Sequence, residues 1–133
     1  MLKGLNHITV AVSDLDRSLD FYSRLLGMTP HARWDTGAYL SAGGTWFCLS
    51  LGEALPSQDY SHIALDVAPA DFELFAERLR AAGVVEWKQN QSEGHSLYLL
   101  DPDGHKLEIH SGSLHSRLES LKDRPYPGLV WLE

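Results

Sequence analysis

The chain is written twice, and that repetition limits its fold more than any other feature. In the first copy, Asn6-His7-Ile8-Thr9-Val10-Ala11-Val12 reads as a strand whose period of two puts His7, Thr9 and Ala11 on one face. Ser13 or Asp14 can cap the following helix, which carries Leu15, Leu19, Phe21, Tyr22, Leu25 and Leu26 and ends at Gly27. About 55 residues further on, Ser61-His62-Ile63-Ala64-Leu65-Asp66-Val67 repeats the strand with its His-Ile pair in the same place. Asp71 is placed to cap, Phe72, Phe75, Ala76, Leu79 and Ala82 repeat the apolar stripe, and Gly83 closes the second helix.

Three short β-like segments follow each helix. They lie around Ala32–Trp34, Gly37–Ser41 and Thr45–Ser50 in the first copy, and Val84–Lys88, His95–Leu100 and His105–His110 in the second. Asp101-Pro102-Asp103-Gly104 supplies a turn between the last two. Each half therefore reads as β-α-β-β-β, and the expected class is α+β. Repeat one spans about 4–51 and repeat two about 60–112 of one domain; residues 52–59 link them, and a tail with a short helix over 114–122 fills 113–133.

Composition removes several function classes. With 11 basic and 18 acidic residues the formal charge is −7, so the basic excess of a non-specific nucleic-acid binder is missing. No apolar run reaches the ~20 residues of a membrane-spanning helix, and the N-terminal residues lack the apolar core of a secretory signal. A single Cys48 precludes an intrachain disulfide and suits a reducing cytoplasm.

The repeat also selects ligands. His7 and His62 hold matching positions, and aligning Trp46-Phe47-Cys48-Leu49 with Lys106-Leu107-Glu108-Ile109 sets Cys48 opposite Glu108. Two imidazoles and a carboxylate suit a divalent first-row metal with positions left for water or substrate. Cys48 reads better as a small buried neighbour than as a fourth ligand. His31, His95, His105, His110 and His115 are weaker candidates, although His110 shares a strand face with Glu108.

In an acidic protein an anion site must be assembled locally. The segment 87–98 concentrates Lys88, Asn90, Ser92, Glu93, Gly94, Ser96 and Tyr98. Its carbonyls and hydroxyls can coordinate a monovalent cation, and Lys88 and Tyr98 can donate to a phosphonate, phosphate or carboxylate. The same stretch also reads as an ordinary polar surface loop. Arg117 adds a fork suited to paired oxygens. Thr9 shares a face with His7, while Trp46 and Tyr39 read equally as pocket wall or core.

From Leu5-Asn6-His7 to Pro125-Tyr126 the chain resembles the vicinal oxygen chelate superfamily, and within it the fosfomycin-resistance glutathione transferase (FosA) family. The stretches that carry the resemblance are Gly4-Leu5-Asn6-His7, Ala32-Arg33-Trp34-Asp35, Gly37-Ala38-Tyr39-Leu40, Asp59-Tyr60-Ser61-His62, Trp87-Lys88-Gln89-Asn90, Ser92-Glu93-Gly94 and the run from Asp101 to Glu108. The resemblance implies curved mixed sheets around Mn(II) held by His7, His62 and Glu108. It further implies a domain-swapped homodimer in which His7 of one chain joins His62 and Glu108 of the other. It places K+ in the loop of Asn90, Ser92, Gly94 and Ser96, and assigns substrate contacts to Thr9, Trp46, Lys88, Ser92, Tyr98 and Arg117, with Tyr39 near the thiol. Of these, Thr9, Tyr39, Lys88 and Arg117 are the expected catalytic contacts.

The implied reaction is addition of glutathione to the epoxide of fosfomycin, which inactivates the antibiotic. Thr9 stands where Gram-positive thiol transferases tend to have Cys, and residues 41–45 supply no glutamate to activate water; both favour glutathione transfer. Two alternatives share the fold: a glyoxalase-like lyase or isomerase, which needs a second carboxylate opposite Glu108, and a metal-free drug-binding module, which needs neither His7 nor Glu108.

Overall fold

The computed structural model describes residues 1–132, so Glu133, the end of the expected tail, lies outside the described residues. The chain divides into two compact units: residues 1–61 with 100–106, and residues 62–99 with 107–133.

The first unit holds a four-stranded mixed sheet of β1 (His7–Val12), β2 (Thr29–Trp34), β3 (Gly37–Ala42) and β4 (Thr45–Leu51), ordered β1-β4-β3-β2. β1 runs parallel to β4, whereas β3 pairs antiparallel with both β4 and β2. Val10 and Val12 turn into the core with Ala38, Leu40, Phe47 and Leu49, leaving His7 and Thr9 on the exposed face as the period of two requires. Burying each large aliphatic side chain contributes roughly 1.5–3 kcal/mol, enough to fix which face of the strand looks inward.

Asp14 caps α1 (Leu15–Asp20) by accepting from the Arg17 backbone N–H at 3.0 Å. The expected single helix then changes pitch: Phe21–Leu25 form a π-helical turn, in which the Leu26 N–H reaches the Phe21 carbonyl at 3.0 Å. Ser23 promotes it, since its hydroxyl donates to the Leu19 carbonyl at 2.5 Å and competes with the regular ladder. Tyr22 is thereby turned fully inward against Phe47, with ring centroids 4.8 Å apart.

The second unit repeats the plan with β5 (Ile63–Asp66), β6 (Glu86–Lys88), β7 (His95–Leu100) and β8 (Lys106–Ser111), ordered β5-β8-β7-β6. β5 is parallel to β8, and β6 antiparallel to β7. The second strand is shorter than its sequence suggested: it begins at Ile63, so His62 stands just before it. In α2 (Phe72–Ala81), Phe72, Ala76 and Leu79 are buried at helical spacing, and Leu97, Leu99, Leu107 and Ile109 of the sheet are buried at the strand period of two. Asp71 makes no side-chain cap, contrary to expectation. A 3₁₀ turn over Pro69–Asp71 already holds it in helical conformation (φ −99°, ψ −13°), which aims the carboxylate away from the free N–H groups. Gly27 and Gly83 end their helices at φ +81° and +80°, the same left-handed stop in both copies. α3 (Leu114–Asp123) starts at a reciprocal capping box between Ser113 and Ser116.

Asp101 organises the turn 101–105 within the first unit. Its carboxylate accepts from the backbone N–H groups of Asp103 (3.0 Å) and His105 (2.8 Å) and from the Tyr22 hydroxyl (2.7 Å). Burial, and then the negative charge of Asp101, pushes the Tyr22 phenol far above its ordinary range, so it remains a donor. Tyr22→Phe strands one buried carboxylate lone pair; unfolding in urea is expected to show a loss of about 2 kcal/mol with an unchanged m-value, and an unaltered midpoint would remove this bond from the stability of the unit.

Candidate functional site

The second unit gathers a polar group on the sheet face opposite its helices. Parallel pairing sets Ile63 opposite Leu107 and Ala64 opposite Glu108, which brings His62 beside the Glu108 side chain. His62 Nε2 lies 3.0 Å from Glu108 Oε1, with the two side chains 20% and 8% exposed. The other carboxylate oxygen is separately engaged: the Ser96 hydroxyl donates to Oε2 at 2.6 Å, and Ser96 Oγ lies 2.6 Å from His110 Nδ1. Period-two alternation puts Ser96 and Tyr98 of β7 on the face shared by Glu108 and His110 of β8.

Aromatic rings frame the pair. The Trp87 indole donates to the Leu107 carbonyl at 2.9 Å, fixing its plane, and its ring meets those of His62 at 5.4 Å and Tyr98 at 5.2 Å, nearly edge-on. The Lys88 ammonium sits 5.0 Å from the centroid of the buried Tyr98 ring, a cation–π contact.

The first unit presents a different surface. Trp34, Tyr39, Trp46 and His7 form a row along its exposed sheet face, with successive centroids 4.7, 5.2 and 4.5 Å apart. Trp34 folds over Gly37, where even a Cβ would come within 2.6 Å of its ring. Trp46 and Tyr39 are thus surface aromatics rather than core, about 40% exposed each. Thr9 lies opposite Cys48, and Cys48 opposite Tyr39, in one cross-strand row. Cys48 is buried and unpaired. His7 Nδ1 donates to Asn6 Oδ1 at 2.7 Å, which leaves Nε2 as the lone-pair nitrogen of the neutral ring.

The loop between β6 and β7 is tied by Asn90. Its amide donates to the Gly94 carbonyl at 2.9 Å, and its oxygen accepts from the Ser92 N–H at 3.0 Å and hydroxyl at 2.8 Å. Ser96, grouped with these residues in the sequence, instead engages Glu108. Arg117 reaches the loop from α3, giving Nε to Glu93 Oε2 at 3.1 Å and Nη2 to the Glu93 carbonyl at 3.2 Å. Beside them opens a pocket of about 330 Å³ lined in part by Gln91, Ser92, Arg117 and Tyr126.

The second unit therefore brings together His62, Glu108, Lys88, Ser96 and Tyr98, and links Arg117 to the loop of Asn90, Ser92 and Gly94. His7, Thr9, Tyr39 and Trp46 belong to the first unit, and among the described residues no three His, Cys, Asp or Glu side chains converge as a metal-binding group. Sequence reasoning ranked His110 as a weaker ligand candidate and gave Trp87 and Glu93 no role; the structure sets His110 against Ser96 and Glu108. The signal for His110 was its place two residues after Glu108 on one strand face; that for Trp87 and Glu93 emerges only from side-chain contacts.

The chemistry of the donor set fits a divalent metal. Ligands at ~2.1 Å on neighbouring corners of an octahedron stand ~3.0 Å apart, and the hydrogen-bonded His62 Nε2 and Glu108 Oε1 are already at that separation. Anchoring Oε2 on Ser96 leaves Oε1 as the oxygen that faces the His62 imidazole.

Residues 4–109 match the Glyoxalase/Bleomycin resistance protein/Dioxygenase superfamily. The chain is 57% identical to the glutathione transferase FosA of Serratia marcescens, covering 98% of this chain and 96% of that protein. It is 36% identical to the metallothiol transferase FosB of Shouchella clausii (strain KSM-K16), over 89% of this chain and 86% of that one. Among solved structures, the fosfomycin resistance protein FosX of Listeria monocytogenes complexed with Mn(II) and sulfate superposes with a TM-score of 0.79 at 32% identity, covering 90% of this chain and 98% of that one. With its doubled β-α-β-β-β plan and its His62–Glu108 pair, the chain belongs to the glyoxalase/bleomycin resistance/dioxygenase superfamily, and within it to the fosfomycin-resistance glutathione transferase family.

Proposed function

We propose that the protein is a metal-dependent glutathione transferase that opens the epoxide of fosfomycin, conferring resistance to that antibiotic. The observation that carries this reading is the His62–Glu108 pair, 3.0 Å apart and flanked by Lys88 and Tyr98, in which metal ligands and anion donors share one sheet face. The FosA relative from Serratia and the Mn(II)-bound FosX fold support it. His62 and Glu108 hold the metal, preferentially Mn(II), with His7 contributed by the second chain of a homodimer. The enzyme works in the cytoplasm, where glutathione is reduced and abundant.

A divalent ion at this position supplies Lewis-acid polarisation of the epoxide oxygen. The chain's own residues hold the substrate. Lys88, Arg117, Tyr98, Ser92 and Thr9 donate to the phosphonate, and Trp46 packs against the methyl-bearing ring. Charge that the −7 protein lacks overall is thus concentrated at the anion by Lys88 and Arg117. The loop tied by Asn90, Ser92 and Gly94 would hold K+, which would add positive potential beside the phosphonate; Ser96, held by Glu108, stays with the metal ligands. Tyr39 stands where the glutathione sulfur approaches. The sulfur forms its bond to carbon from the face opposite the breaking C–O bond, and the thiol proton ends on the released oxygen. No side chain acts as nucleophile, so buried Cys48 remains free throughout.

With Mn(II) present, the protein is expected to consume glutathione only when fosfomycin is added, and Glu108→Ala to lose turnover by at least ~10³-fold while keeping its fold. Thiol loss that is independent of fosfomycin, or an active Glu108→Ala, would refute the assignment. Replacing K+ by tetramethylammonium, too large for a loop of this size, is expected to slow turnover several-fold; an indifferent rate would make segment 90–96 plain surface.

A further inference from the structure

Arg117 does not lie loose on α3. A guanidinium carries five N–H donors. Glu93 occupies the donors on Nε and one on Nη2, and Tyr126 Oη accepts from Nη1 at 3.4 Å. Two donors remain, one on each terminal nitrogen, which is the fork that meets two oxygens of an oxyanion side by side.

Glu93 is itself immobilised. The Ser116 hydroxyl donates to its Oε1 at 2.8 Å, while Oε2 and the backbone carbonyl both hold Arg117. The hydrogen bond from Ser116, followed by the Arg117 contact, keeps its carboxyl below the usual glutamate range, so the charge persists at neutral pH. The loop that carries it presses onto the end of β8: Gly94 has φ +81°, and a Cβ there would lie 2.5 Å from the Ser111 carbonyl and 2.9 Å from the His110 ring. A Cβ on Gly112 would fall 2.6 Å from His110 Nε2 and 3.3 Å from Glu93 Oε1. Both glycines are required by close approach, and the Glu93 carboxylate is set in place by backbone as well as by side chains.

We infer that Glu93 is a positioning residue for the anionic substrate: it grips the inner edge of the Arg117 guanidinium so that the outer fork is presented to the phosphonate. The inference rests on the reading that Arg117 contacts that phosphonate. It predicts an effect opposite in sign to simple electrostatics. Removing a carboxylate near an anion site should tighten anion binding if charge alone mattered, whereas loss of the grip lets a long, rotamer-rich side chain swing free and weakens it.

The experiment compares wild type, Glu93→Ala, Glu93→Gln, Arg117→Ala and the Glu93→Ala/Arg117→Ala pair in the Mn(II)-loaded enzyme. It reads fosfomycin KM and kcat, and fosfomycin Kd by calorimetry without thiol. Glu93→Ala is expected to raise KM and Kd about tenfold with kcat within about twofold; Glu93→Gln, whose amide oxygen can still accept from Arg117 Nε while its NH2 donates to Ser116 Oγ, restores most of the affinity. On the Arg117→Ala background, Glu93→Ala adds nothing. Should Glu93→Ala fail to fold, Ser116→Ala, which removes the donor to Oε1 and with it the Ser116 half of the α3 capping box, is expected to raise KM about threefold in protein whose helical circular dichroism matches wild type. An unchanged or lowered KM in the folded Glu93 or Ser116 variant overturns the inference while Arg117→Ala still raises KM. An unchanged KM in Arg117→Ala overturns the role of Arg117 in the proposed function, and this inference with it.

Discussion

The parallel register of β5 on β8 governs the chemistry of this chain. With Ile63 opposite Leu107 and Ala64 opposite Glu108, the residue before β5 arrives beside the carboxylate, and His62 and Glu108 meet at 3.0 Å. A shift of one residue would turn Glu108 into the apolar layer and Leu107 and Ile109 out of it, exchanging buried aliphatic surface for a buried charge. The hydrophobic pattern that stabilises the second unit is therefore the same pattern that aims Glu108 at His62. Ser96 refines the aim by holding Oε2, so that Oε1 faces His62.

The first unit uses the same strand plan for a different end. β1 on β4 places His7 opposite Trp46 and Thr9 opposite Cys48, the positions that correspond to the His62 and Glu108 neighbourhood of the second unit. One copy of the repeat carries a carboxylate; the other has a small buried thiol and a row of exposed aromatics ending at His7. Duplication thus yields two surfaces of different chemistry, one carrying His62, Glu108, Lys88 and Ser96 and one aromatic with a single imidazole.

Much of this was legible in the sequence because it depends on periodicity. The period of two in His7-Ile8-Thr9-Val10 told which side chains face out, and the repeat-to-repeat alignment of Cys48 with Glu108 is the register found in the strands. Gly27 and Gly83 announced both helix ends. What periodicity does not encode was missed. The π-helical turn at Phe21–Leu25 arises from Ser23 competing for a backbone carbonyl, and the failure of Asp71 to cap arises from the 3₁₀ turn set by Pro69. The grip of Glu93 on Arg117 joins residues 24 positions apart and has no local signature. Family resemblance supplied the expectation of a shared metal site and of the substrate, neither of which spacing alone could reach.

The central claim is that His7 of one chain completes the metal site formed by His62 and Glu108 of another. Subunit complementation tests it most directly: His7→Ala and Glu108→Ala proteins, each inactive alone, are unfolded together and refolded as a mixture. Random pairing predicts recovery of about one quarter of wild-type turnover, because half of the dimers carry one site with all three ligands. A mixture as inactive as its parents, from a preparation shown to contain the mixed dimer, would contradict the account.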